Sequence, residues 1–188
     1  MKKIMLVFAC TLFYFASQSQ VKTGADESFK ASLNNYKTYG WSSEIEHIPS
    51  EKVFVAPNSI YVFNNESLRE KIKKAIAFEL SAKGYAKDES NPDIIVLFRV
   101  TEQPGTLLTK NGYQQFWDED QNGGNRLHRT KIAADTLLIN VLDGKSDKVA
   151  WQGWASGILK PEMINDNMKV REAVSSIFKK FHFRAKQS

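Results

Sequence analysis

The chain has 188 residues, and its 26 Lys and Arg against 21 Asp and Glu leave a formal charge of +5. That excess is too mild to single out a polyanionic partner, and the length suits one domain of ordinary size. The only cysteine is Cys10, which excludes a disulfide framework and thiolate zinc sites.

Lys2 and Lys3 precede an apolar run from Ile4 to Ala16, and the small polar stretch Ser17-Gln18-Ser19-Gln20 follows. A charged start, an apolar middle and small residues before a cut read as a secretory signal peptide over residues 1–19. Cleavage after Ser19 removes Cys10, so the exported chain has no thiol nucleophile. Val7-Phe8-Ala9-Cys10 loosely imitates a lipobox, but Phe8 is bulky for that motif and Ile4 to Ala9 is short. A lipid anchor at Cys10 is therefore not expected. The apolar run is also shorter than the roughly 18 residues of a spanning helix. Export to the periplasm or the outer envelope takes nucleic acid off the list of partners.

Residues 20–35 are polar and read as a loose leader before a single domain over 36–188. Tyr36-Lys37-Thr38-Tyr39-Gly40-Trp41 is rich in aromatic and β-branched residues and predicts a strand at 36–42. Val53-Phe54-Val55 and Ile60-Tyr61-Val62-Phe63 flank a turn signal and could be short strands. Asn65 can cap a helix over 66–83, whose apolar stripe is Leu68, Ile72, Ala75, Ile76 and Leu80. Gly84 then ends it in a left-handed cap that folds Tyr85 back on Leu80.

Ile94 to Val100 is a near-continuous apolar run, which predicts a central strand at 93–100, covered on both faces for most of its length. The connection from Thr101 to Thr130 is long and polar. Residues 132–142 and 148–158 read as strands joined by a hairpin turn at Asp143-Gly144-Lys145-Ser146. Val170, Ala173, Val174, Ile177, Phe178 and Phe181 mark a helix over 167–181, capped near Asn165 or Asp166.

The expected architecture is α+β, in the order β-α-β-β-β-α. It has a single mixed sheet, with both helices packed on one face and the strands at 36–42 and 93–100 parallel through a crossover.

Tyr36-Lys37-Thr38-Tyr39-Gly40-Trp41, Lys83-Gly84-Tyr85, Asn91-Pro92-Asp93-Ile94-Ile95-Val96, Gly144 and Trp151-Gln152-Gly153-Trp154-Ala155 occur in that order. As an ordered set they resemble the bacterial envelope family called domain of unknown function 4136, whose members are mostly lipoprotein-like. The resemblance covers nearly the whole exported chain. It implies an envelope location and a mixed α and β domain, and it brings no activity and no catalytic residues.

Candidate chemistry is sparse. Asp118, Asp120 and Asn122, with Gly123 behind them, imitate the start of a calcium loop. Arg129 stands where the closing carboxylate belongs, so the stretch reads as a solvated acidic turn and no metal site is expected. His47, His128 and His182 are far apart, without paired-ligand spacing. Ser156 lies inside a strand pattern and not on a nucleophile elbow. No catalytic residue and no cofactor is expected.

The strand-borne aromatics Trp41, Trp151 and Trp154 are the binding candidates. Trp151 and Trp154 should face opposite sides of their strand, one into the core and one outward. Lys179 to Lys186 interleaves cations with Phe181 and Phe183. Cations there complement a helix end, and anionic lipid headgroups are the functional alternative.

These features describe an exported, non-catalytic binding or assembly module whose partner is an envelope protein, a lipid or a wall component. A carrier of a small apolar or glycan ligand and a hydrolase with a scattered site are the alternatives. Replacing Leu80 with alanine should open a core cavity costing roughly 2–5 kcal/mol in urea melts. A loss well under about 1 kcal/mol would show that the stripe is not buried.

Overall fold

In a computed structural model, residues 22–27, 33–43, 66–101, 103–110, 127–146, 148–159 and 165–186 are described. The signal-peptide segment 1–19, the possible strands near 53–63, the Asn65 cap and the acidic turn at 118–123 lie outside them. No helix among the described residues is long and apolar enough to cross a membrane.

The strands are β1 (Lys22–Glu27), β2 (Thr38–Trp41), β3 (Ala86–Lys87), β4 (Ile94–Thr101), β5 (Gly105–Lys110), β6 (Leu127–Ile132), β7 (Thr136–Asp143) and β8 (Val149–Ser156). Helix α1 spans Glu66–Ala82, between β2 and β3, and helix α2 spans Asn167–Phe178, after β8. Six strands form one mixed sheet in the order β1-β8-β7-β4-β2-β3, and β5 pairs with β6 in a separate ribbon. The α+β class, the parallel β2–β4 pair and the β7–β8 hairpin are as expected from the sequence.

Three expectations need correction. The loose leader contains β1, which pairs antiparallel with β8 from Lys22↔Ser156 to Glu27↔Trp151. Leu33, also in that leader, is fully buried, and its carbonyl accepts the Tyr85 hydroxyl at 2.9 Å. The expected single sheet is joined by a second one, the β5–β6 ribbon, which lies in the connection after Thr101. The long strand foreseen from Ile132 is broken in two, because Asp135 adopts φ +56° between β6 and β7. Its carbonyl accepts from the Ile158 and Leu159 amides, which fixes that corner.

Strand parity sorts the sheet into two faces. Ile94, Val96, Phe98 and Val100 of β4 align with Leu137, Ile139 and Val141 of β7 and with Trp151 and Ala155 of β8. This face meets both helices in one core, through Leu68, Ile72, Ala75, Ile76 and Leu80 of α1 and Val170, Ala173, Val174, Ile177 and Phe178 of α2.

The helix ends follow from their caps. Gly84 sits at φ +88°, and the Tyr85 amide donates back to the Leu80 carbonyl at 3.1 Å, which stops α1. The Asp166 carboxylate accepts from the Met168 and Lys169 amides at 2.8 and 3.3 Å, which starts α2.

Gly153 is the tightest point between sheet and helices. A Cβ there would overlap the Trp151 ring and come within 2.6 Å of Ile177 Cγ2. Gly153→Ala should therefore strain the core by roughly 1–3 kcal/mol, read as a lower urea midpoint at unchanged slope. An unchanged midpoint would mean that the ring can step aside.

Candidate functional site

The outer side of the helix pair carries the most exposed apolar surface among the described residues. Phe78 of α1 lies outside the buried stripe and is 59% exposed, and Met168, in the first turn of α2, is 71% exposed. With Ala75, Glu79, Arg171, Glu172 and Ser175 they line a groove of about 380 Å³ between the helices. The Arg171 guanidinium stands 5.1 Å from the centre of the Phe78 ring, a cation–π contact that holds the ring at the groove. Lys169 and Glu172 pair at 3.4 Å on the α2 rim. The result is an apolar floor edged by charges of both signs.

The tryptophans separate as parity requires, but their exposures depart from the expectation. Trp151 is fully buried against Phe178 and Phe181, at 6.0 and 5.0 Å between ring centres. As a binding candidate it is corrected: the helix layer covers the ring, and no ligand reaches it. Trp154 does point to the opposite face, yet only 9% of it is exposed, because Ile132 and Leu138 pack on it. Trp41 is half-buried, edge-on to Tyr39 and Phe98, with Lys73 Nζ 5.5 Å above its ring. Of the three, only Trp41 keeps substantial open surface.

Beside the Trp154 cluster, the reverse face of the sheet carries buried polar side chains. Gln152 Nε2 donates to Asn140 Oδ1 at 2.6 Å, and the Thr136 and Ser156 hydroxyls lie 3.0 Å apart. The Thr136 amide donates to Thr101 Oγ1 at 3.2 Å. Ser156 is thus a strand residue whose oxygen also accepts from the Ala133 amide. Amides and hydroxyls joined in this way hold strands in register. Among the described residues no three ligating side chains gather as a metal site. His182 is exposed, and His47 and the acidic turn lie outside the described residues.

A second polar cluster closes one end of the sheet. The Asp93 carboxylate accepts from the Lys37 and Thr38 amides at 2.7 and 3.1 Å, and the Asp93 carbonyl accepts from the Gly144 amide at 2.8 Å. Asp143 accepts from the Tyr36 hydroxyl and from the Lys145 and Ser146 amides of the hairpin turn. Burial pushes the Asp143 carboxyl up, but the hydrogen bonds from Tyr36, Ser146 and Lys145 outweigh it and hold it below its ordinary 3.8. These contacts join backbone segments, which is a structural task. Burial likewise pushes the Tyr85 phenol up, where its hydroxyl is spent on Leu33.

The family model for Domain of unknown function (DUF4136) matches residues 21–181. The chain belongs to that family. A crystal structure of a DUF4136 family protein from Bacteroides thetaiotaomicron VPI-5482 is similar at TM-score 0.52 and 15% identity, over 86% of this chain and 95% of that one. At that identity the likeness shows the fold alone.

A PDZ domain protein from Parabacteroides distasonis ATCC 8503 matches at TM-score 0.43 and 16% identity, over 87% of this chain and 37% of the other. The PelC dodecamer from Paraburkholderia phytofirmans matches at TM-score 0.44 and 11% identity, over 88% and 99%. Neither likeness carries a functional argument. No curated protein matches the chain.

The sequence reading missed Phe78 and Met168. Both are large apolar residues on helix faces that are otherwise polar, and that mismatch was the available signal.

Because the Asp143 carboxyl sits below its ordinary 3.8 in the folded protein, its contribution is present above that pH and is lost as pH falls through the depressed folded value. Urea melts across the acid range should show a shallower loss of stability for Asp143→Asn than for the parent. Parallel curves would show that the carboxylate contributes nothing to acid sensitivity.

Proposed function

We propose that this DUF4136 protein is an exported, non-catalytic module of the cell envelope that binds a partner protein through the groove between α1 and α2. The observation that carries this reading is the convergence of Phe78 and Met168, the two large apolar side chains most exposed among the described residues, on one groove. Exposed apolar surface rimmed by charge is the usual character of a protein contact.

Glu79, Arg171 and Glu172 offer ion-pairing partners of both signs at the rim. That suits an amphipathic segment with its own mixed charges better than a neutral glycan or a lipid tail. The buried polar side chains of the reverse face support the non-catalytic part, since they are occupied in holding strands together. The leader, with Lys2 and Lys3 ahead of an apolar run, supports export.

A photo-crosslinking residue placed at position 78 tests the groove directly. In cells it should yield one discrete adduct in the envelope fraction, and the recovered protein should begin at Gln20. Arg171→Glu in the same chain should remove the adduct without lowering the melting temperature. No adduct, or an adduct indifferent to Arg171 and Met168 substitutions, would overturn the groove as the contact surface. A mass that retains residues 1–19 would overturn export.

A further inference from the structure

Between Ala173 and Ser188 the chain has no acidic side chain, whereas Lys179, Lys180, Arg184 and Lys186 supply cations and His182 a titratable position. These residues are not on a loose tail. Residues 181–186 follow α2 with strict alternation: Phe181 and Phe183 are buried, while His182, Arg184 and Lys186 are exposed.

The segment is pinned along its length. The Ala185 amide donates to the Lys83 carbonyl and the Lys186 amide to the Tyr36 carbonyl, both at 3.0 Å. The Arg184 amide donates to Asn34 Oδ1 at 3.3 Å. Lys83 joins the same edge from the end of α1, with its amine 5.8 Å from the Phe181 ring centre. Burial first, and then the Arg184 charge, push the Lys83 amine below its ordinary value, only partly opposed by Glu79.

Among the described residues none of Lys83, Lys179, Lys180, Arg184 and Lys186 has a carboxylate partner in an ion pair. A helix dipole accounts for Lys179 and Lys180 at the C-terminal end of α2, and its influence falls off beyond that end. Arg184 and Lys186 lie beyond that end, on backbone that is hydrogen-bonded to the rest of the fold and near other cations.

We propose that this edge is a docking surface for an anionic phospholipid bilayer, whose headgroup oxygens supply the counter-charges that the described residues do not. The pinned backbone keeps these cations on one side of the molecule, where their attractions to such a surface add. The inference rests on the export reading only in that an envelope protein meets such bilayers. It concerns a different surface from the interhelical groove.

Vesicle co-sedimentation of the full chain tests it, with phosphatidylcholine vesicles compared with vesicles that also contain phosphatidylglycerol. Binding should require phosphatidylglycerol and fall steeply as salt is raised. Changing Lys179, Lys180, Arg184 and Lys186 together to glutamine should weaken it on the order of 100-fold. The milder pair Arg184→Gln and Lys186→Gln, both exposed and away from the core, should cost roughly tenfold with an unchanged melting temperature.

Lys74→Gln and Lys131→Gln, elsewhere on the surface, should leave binding within about twofold. A Phe78→Lys variant should also bind vesicles normally, which separates this proposal from the groove. Equal binding to both vesicle types, salt-insensitive binding through the apolar run at Ile4 to Ala16, or unchanged binding by the glutamine variants would overturn it. So would capture of soluble polyphosphate by a chain that ignores the vesicles.

Discussion

The packing of Trp151 across Gly153 sets the distance between sheet and helices, and most of the molecule depends on it. The indole can lie flat on β8 only because position 153 has no side chain, and Ile177 of α2 closes over the same spot. From there the aromatic contacts continue through Phe178 and Phe181 to Phe183 and to Tyr85, just past the end of α1. The aromatic chain that starts at this ring thus ties together β8, α2, the segment that follows it and Tyr85 beyond α1. The indole N–H has no hydrogen-bond partner among the described residues, a cost of about 1–3 kcal/mol. The burial of so large a ring among other aromatics more than offsets it.

How much of this was legible in the sequence depends on what kind of interaction builds each part. The stripe Leu68, Ile72, Ala75, Ile76 and Leu80 is periodic, so α1 and its buried face could be read from spacing alone, and Gly84 announced its end. The run from Ile94 to Val100 and the hairpin around Gly144 were equally plain, because burial on both faces and turn chemistry leave residue-level marks. β1 left none. It is held to β8 through backbone hydrogen bonds, which any polar sequence can make at a sheet edge. The β5–β6 ribbon was hidden for the same reason.

Site legibility failed at a different level. Parity predicted that Trp151 and Trp154 point to opposite faces, and they do. It could not predict that the second face would also be covered, since that depends on Ile132 and Leu138, which reach Trp154 from other strands. The polar reverse face is unusual for a strand run as apolar as β4. Arg99, Asn140 and Gln152 are buried there, and the Gln152–Asn140 amide contact ties β8 to β7 while Gln152 Oε1 has no partner among the described residues.

The pairing of β1 with β8 has a consequence for the order of assembly. The β7–β8 hairpin can form from neighbouring residues, and α1 with β2 and β4 from a stretch of moderate length. β1 must find a partner at nearly the opposite end of the chain, so it pays the largest loop-closure entropy of any strand in the sheet. It should therefore dock last and be the first strand to open. Until it docks, the outer edge of β8 is an unpaired row of amides and carbonyls, a template for whatever extended chain is nearby. In a crowded setting the kinetic vulnerability of this fold lies at that edge, well away from its core.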